Sequence, residues 1–220
     1  MIVLRGLRKS FPFGRTRKVL FEGLDLTLPA GARVALLGAN GAGKSTLLSV
    51  IAGTTPADAG RIERHGTVSW PMGFAGGFAA DLTGRQNLRF VARIYGADTG
   101  ETEAAVTAFA ELGSALDMPV RTYSAGMRAR LAFGLSMAMR FDWYLVDEIA
   151  AVGDAGFRRK SADAFHHRLS GAGLVMVSHA PALLREFCTS AIVLHAGAVR
   201  VFADISEAID WHEAATVRAA

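Results

Sequence analysis

Cysteine is nearly absent: Cys188 stands alone among 220 residues. No internal disulfide can form, which agrees with a reducing compartment, and the thiol reads as core filler. Long apolar runs are missing too. The uncharged stretch from Leu131 to Met139, between Arg130 and Arg140, falls far short of the about 18 residues that span a bilayer. Met1-Ile2-Val3-Leu4-Arg5 is too short for a secretory leader, so residence in the cytosol is expected. There is no internal repeat, no low-complexity linker, no nucleic-acid signature and no Asn-Lys-x-Asp guanine motif. An excess of one charge is also lacking: 24 Lys and Arg against 20 Asp and Glu give +4. Arg5, Arg8, Lys9, Arg15, Arg17 and Lys18 carry much of it, interleaved with Pro12 and Gly14, and read as a solvated hairpin. With 51% hydrophobic residues the chain can bury a core as one domain, or as one domain with a subdomain.

What is present in full is a phosphate-binding loop. Gly38, Ala39, Asn40, Gly41, Ala42, Gly43, Lys44, Ser45 and Thr46 fit G-x-x-x-x-G-K-[ST] at every fixed position. Arg33–Leu37 before it reads as a short buried strand, and Thr46–Ala52 after it as a helix ended by Gly53. Glycines let several N–H groups point into one concavity, and the helix adds its positive end, which suits a triphosphate. Lys44 is expected on the β- and γ-phosphates and the Ser45 hydroxyl on Mg²⁺.

The rest of the chain supplies an α/β frame. Ile2, Leu4, Leu24, Leu26 and Leu28 alternate with polar positions, so the first 30 residues are expected to be antiparallel β structure. Residues 56–66 read as a polar connection rich in turn formers. From Thr83 to about residue 140 the period becomes helical: Leu88, Val91, Ala92 and Tyr95 repeat at helical spacing, as do Val106, Phe109, Ala110 and Gly113, with Gly113 as a stop. This predicts a helical subdomain at about 83–140, inserted between strands within one domain spanning 1–220. Trp143–Val146 and Leu174–Val177 are continuous apolar runs suited to central parallel strands. Ile192–Leu194 and Val199–Phe202 suggest a closing hairpin through Ala196-Gly197. One more short helix is expected at 205–212, followed by a fraying alanine-rich tail from Ala214.

Three further groups carry chemistry. Asp147 ends the run Trp143–Val146, where a carboxylate can hold Mg²⁺ directly or through water. The adjacent Glu148 can orient and deprotonate an attacking water. This pair lies about 100 residues after Lys44. His179 follows the next apolar strand, at the sheet edge where open α/β sheets collect ligands, and can contact a γ-phosphate. Ser124, in Tyr123-Ser124-Ala125-Gly126-Met127-Arg128, is a good helix N-cap. Hydroxyl, glycine backbone and helix end together also make a second anion site, which a chain with one complete loop can use only if two copies meet head to tail.

Phosphate loop, Ser-x-Gly signature, Asp-Glu and strand-end His, in this order, resemble the nucleotide-binding subunit of an ABC transporter over nearly the whole chain. The resemblance implies a P-loop NTPase, RecA-like α/β core with an N-terminal antiparallel β subdomain and an inserted α-helical subdomain. It implies ATP hydrolysis with Mg²⁺ on Ser45 and Asp147, and catalytic roles for Glu148 and His179. It places Ser124, Ala125 and Gly126 against the γ-phosphate held by the partner copy's Lys44. It implies a D-loop at 150–154 with Asp154 at the nucleotide interface, and an adenine-stacking aromatic, for which Phe11 fits and Phe13 or Phe21 can also serve.

The finer likeness is to the capsule polysaccharide export ATPases. It rests on Val68-Ser69-Trp70-Pro71, Gly76-Gly77-Phe78, Leu82–Asn87, Phe90–Gly96, Tyr123–Leu131 and Ala151–Asp154. It implies a polytopic polysaccharide-export permease as partner, a lipid-linked polysaccharide as cargo, a peripheral place on the cytoplasmic face of the inner membrane, and no nucleic-acid partner. O-antigen or teichoic acid export is the alternative cargo, and a soluble non-transport ABC ATPase the alternative class. An end at Ala220, without a further glycan-binding domain, favours the capsule type. Three positions depart from the superfamily pattern: the signature reads Tyr-Ser-Ala-Gly-Met, Ile149 replaces a proline, and residues 71–82 hold no glutamine. Gln86 is expected to start a helix instead, leaving Trp70, Phe74 and Phe78 as candidates for coupling to the permease.

Overall fold

The computed structural model describes residues 1–72, 77–148, 155–195 and 197–219. In chain order the elements are β1 (Ile2–Phe13), β2 (Thr16–Leu28), β3 (Arg33–Gly38), α1 (Lys44–Ala52), β4 (Ala59–Arg64), β5 (Val68–Met72), α2 (Gly84–Ile94), α3 (Thr99–Ala110), α4 (Ala125–Ala138), β6 (Trp143–Asp147), α5 (Ala155–Arg168), β7 (Gly173–Val177), α6 (Pro181–Phe187), β8 (Ser190–His195), β9 (Ala198–Phe202) and α7 (Ile205–Ala219). Two compact units result: residues 1–71, 141–148 and 171–220 form one, and residues 72–140 and 149–170 the other.

In the first unit the strands make two sheets. A three-stranded sheet has the order β2-β1-β4, and a six-stranded sheet the order β5-β6-β7-β3-β8-β9. The β1–β2 hairpin is antiparallel, with Ile2 opposite Leu28 and Leu4 opposite Leu26, as the alternation of the first 30 residues predicts. Strand β3 lies between β7 and β8 and runs parallel to both. Strands β3, β6 and β7 are buried almost throughout because their runs are apolar on both faces. One cluster joins both sheets and α1, with Ile2, Leu4, Leu36, Leu48, Ile51, Trp143, Leu145 and Val175 nearly solvent-free. Each such side chain contributes about 1.5–3 kcal/mol of burial relative to exposure. Cys188 is also buried, and burial pushes its thiol up to about 12, which suits core filler.

Four local expectations change. Residues 59–64 are not a connection but strand β4, paired with β1 from Ile2–Arg64 to Arg8–Ala59. Backbone pairing rather than side-chain alternation makes this strand, since only Ile62 and Glu63 are even partly buried. The last helix does not end at 212 with a frayed tail. It runs to Ala219, capped where the Ser206 and Glu207 N–H groups donate to Asp204 Oδ1, and alanine is the best helix former. Lys9 is not solvated with the rest of its basic cluster. It is 7% exposed and donates to the Pro56 carbonyl at 2.7 Å and to Asp58 at 3.3 Å. In the second unit, α3 stops at Ala110 because Glu111 turns left-handed (φ 55°), and Gly113 opens a 3₁₀ turn instead of closing the helix.

The second unit is helical in its described part. Helices α2 and α3 bury Leu88, Ala92, Val106 and Ala110, while Tyr95 is 40% exposed. Arg85 bridges Asp117 and Glu103, and Arg89 adds a second bond to Glu103 at 2.8 Å. Those bonds, Arg89 first, hold the Glu103 carboxyl below its usual range. Lys160 of α5 donates to the Phe109 carbonyl at 3.0 Å and to Glu111 at 2.5 Å, satisfying the end of α3.

Candidate nucleotide site

Strand β3 ends at Gly38, and the loop 39–43 turns directly into α1. Gly38 has φ 151°, and a Cβ there would sit 2.6 Å from the Leu194 carbonyl oxygen. Gly43 starts α1 with φ 103°, and a Cβ there would press on Leu20 at 3.2 Å. A side chain at either position would therefore distort the loop. Gly38 is buried, whereas Ala39, Asn40, Gly41 and Ser45 are exposed and Ala42, Lys44 and Thr46 half-buried, so the loop's outer surface faces solvent. The Lys44 ammonium donates to the carbonyls of Gly38 (2.6 Å) and Ala39 (3.1 Å). Burial pulls Lys44 below the usual lysine range, and the nearby carboxylates of Glu148 and Asp147 act against it.

Adjacent strand ends complete the cluster. Asp147 is the last residue of β6 and pairs with Val177 of β7. Glu148 follows in a left-handed conformation, φ 49°, with its N–H on the Val177 carbonyl at 3.0 Å. That conformation costs about 1–3 kcal/mol in a residue with a Cβ and persists where the surroundings enforce it. It places Oε1 2.8 Å from Nε2 of His179, just beyond β7. Lys44, Asp147, Glu148 and His179 thus meet at the carboxyl edge of one parallel sheet, where α/β folds bind ligands. A triphosphate on the loop would face a cation, two carboxylates and an imidazole.

The aromatic candidates separate. Phe21 is 1% exposed and belongs to the core, so it offers no ring to a base; Phe11 and Phe13 are 42% and 71% exposed. Phe11 pairs across the hairpin with Lys18, and the Lys18 ammonium donates to the Gly41 carbonyl at 3.2 Å. Phe11 therefore lies on the strand pair that touches the phosphate loop. Sequence does not mark Lys18 or Leu20 as parts of this site, because the basic cluster that holds Lys18 also fits a solvated hairpin.

Ser124 lies in the helical unit and is the N-cap of α4, its hydroxyl accepting from the Met127 N–H at 3.2 Å. A Cβ on Gly126 would meet nothing closer than Ser124 Oγ at 3.8 Å, so the first turn of α4 is open beside Ala125 and Gly126. Gln86 completes a capping box: its N–H donates to Thr83 Oγ1 at 3.1 Å, and its Oε1 accepts from the Thr83 N–H at 2.8 Å. It starts a helix, as expected. Phe74, Gly76, Ile149 and the whole 150–154 loop with Asp154 lie outside the described residues.

Residues 21–151 match the ABC transporter family model. The chain is 47% identical over 212 residues to the polysialic acid transport ATP-binding protein KpsT of Escherichia coli, covering 95% of this chain and 97% of that one. It is 38% identical to the capsule polysaccharide export ATP-binding protein CtrD of Neisseria meningitidis serogroup B, covering 96% and 98%. In fold it is similar to the ATP-binding cassette MJ0796 in a dimeric, post-hydrolysis state bound to ADP and Pi, with TM-score 0.76, 18% identity, and 91% and 98% of the two chains covered. The chain belongs to the ABC transporter ATP-binding family.

Proposed function

We propose that this chain is the ATP-hydrolysing subunit of a membrane exporter of capsular, lipid-linked polysaccharide. It works as a head-to-tail dimer with two ATP at the interface. The observation that carries the reading is the cluster of a complete phosphate loop with Asp147, Glu148 and His179 at one sheet edge. The cargo class rests on relatives such as KpsT and CtrD, matched over nearly their full length.

In this reading Lys44 and the loop N–H groups hold the β- and γ-phosphates. Glu148 takes a proton from the attacking water, and His179 orients Glu148 while facing the γ-phosphate. Ser124, Ala125 and Gly126 of the second copy complete each site, Asp154 lines the interface, and Phe11 stacks on adenine. Among the described residues no set of three or more His, Cys, Asp and Glu could hold a metal alone. Ser45, exposed in the first turn of α1, and Asp147, at the end of β6, would supply a hydroxyl and a carboxylate oxygen to Mg²⁺, an ion that takes its remaining oxygens from phosphates and water. When bound, it neutralises charge on the β- and γ-phosphates.

No helix among the described residues is long and apolar enough to cross a membrane. We place the chain peripherally on the cytoplasmic face of the inner membrane, through a polytopic permease. The helical unit exposes Leu82 (37%), Phe90 (56%), Ile94 (62%) and Met118 (48%), apolar surface that suits such a partner. The test is deletion and complementation: the wild-type gene restores surface polysaccharide and Glu148→Gln does not, while the tagged chain co-purifies with a polytopic subunit from solubilised membranes. Retention on ribosomes or DNA instead would place it in the soluble class.

A further inference from the structure

A cavity of about 490 Å³ opens at the carboxyl edge of the six-stranded sheet. Lys44 lines one side, Ser178 and His179 another, and His212, Glu213 and Thr216 of α7 a third. The last helix thus faces the same two side chains that the ATPase reading places at the γ-phosphate. None of its residues has a role in that reading.

His212 is the unusual member of this wall. Its Nδ1 is closed off from solvent and has no hydrogen-bond partner in the protein, a state that native structures rarely leave without a reason. Burial lowers its pKa, and the neighbouring Lys44, His195 and His179 act in the same direction against the single opposing Glu213. The ring is therefore neutral near pH 7, with one N–H and one bare nitrogen. A buried N–H without an acceptor is rarer than a buried bare acceptor, so the proton belongs on Nε2. His179 has the complementary need. Its Nε2 is committed to Glu148 at 2.8 Å, and its Nδ1 is fixed as an acceptor only if a donor meets it. The cavity is roomy and polar enough to hold bridging water.

We propose that His212 is a positioning residue for hydrolysis: through a water in this cavity, its Nε2–H fixes the tautomer and orientation in which His179 pairs with Glu148. This rests on the ATPase reading. Partners in the layer behind a reacting group commonly act in this way.

The experiment uses the full chain, with steady-state ATP hydrolysis and thermal unfolding of His212→Leu and His212→Gln. Leucine removes both nitrogens and with them the orphaned Nδ1. Glutamine keeps an N–H near the position of Nε2. The expected result is a kcat about tenfold lower for His212→Leu, with KM for ATP within about twofold and no fall in Tm, and recovery of most of the rate in His212→Gln. Turnover and stability then part company, which a merely structural role would not produce. Wild-type kcat in His212→Leu overturns the proposal. So does an equal loss in both variants, or a loss accompanied by a lower Tm. Absence of ATP hydrolysis in the unaltered chain would instead overturn the ATPase reading, and this inference with it.

Discussion

Glu148 and His179 stand 2.8 Å apart at the ends of two adjacent parallel strands, each more than half exposed. A contact this open to water contributes little to stability, yet Glu148 holds a left-handed backbone beside it. It is the arrangement that the proposed roles of Glu148 as base and His179 as its orienting partner require. Glu148→Gln, which keeps the shape and loses the base, should lower ATP turnover by at least about 100-fold and leave ATP affinity within a fewfold. His179→Ala should do the same to turnover. Phosphate release and a nucleotide titration read the two effects separately, whereas Lys44→Ala should abolish the titration itself.

Gln86 tests how the site departs from its superfamily. Its side chain is engaged with the Thr83 N–H as a helix cap. Gln86→Ala should cost about 0.5–1 kcal/mol of stability, the scale of a lost cap bond, and leave kcat within about twofold. A large loss of turnover at unchanged stability would mean that Gln86 reaches the nucleotide. Denaturant unfolding and steady-state hydrolysis decide between the two.

Asp58 gives the fold an acid-sensitive point. Its carboxylate accepts from the Ser10 hydroxyl (2.6 Å), the Ser10 N–H (2.7 Å) and Lys9 (3.3 Å). The Ser10 hydroxyl first, and then the other donors, hold its pKa at about 2 rather than 3.8. The folded-state pKa is depressed, so its stabilisation is complete above about pH 4 and lost as pH falls towards 2. Asp58→Asn should be less stable than wild type at pH 7, and the gap should close across that window. Thermal unfolding at stepped pH measures it.

The candidate site is legible in the sequence wherever side chains carry the signal. The phosphate loop, the buried run Trp143–Val146 with Asp147 and Glu148 after it, the Ser124 cap and the Gln86 helix start each depend on residue type at fixed spacing. Strand β4 was not legible because it is built by backbone pairing to β1 and buries almost nothing of its own. The length of α7 was hidden by an alanine-rich end that reads equally as tail or helix. Lys9 and Lys18 look alike in sequence, yet one is buried on Asp58 and the other lies on the Gly41 carbonyl. His212 carries no motif; only packing brings it to the cavity beside Lys44. Long-range register and partner choice decide β4, Lys9, Lys18 and His212, whereas the Asp204 cap and alanine's own propensity decide α7.

The central claim is that each ATP site takes its phosphate loop from one copy and its Ser124 helix from the other. Mixing two dead variants tests it most directly. Lys44→Ala and Ser124→Arg should each be inactive alone. In an equimolar mixture, half of the dimers are mixed if exchange is random, and each mixed dimer holds one intact site, with Lys44 from one chain and Ser124 from the other. Recovery of ATP hydrolysis on mixing is the predicted result. Two preparations that stay inactive together, while each still exchanges into dimers with wild-type chain, would contradict the head-to-tail site.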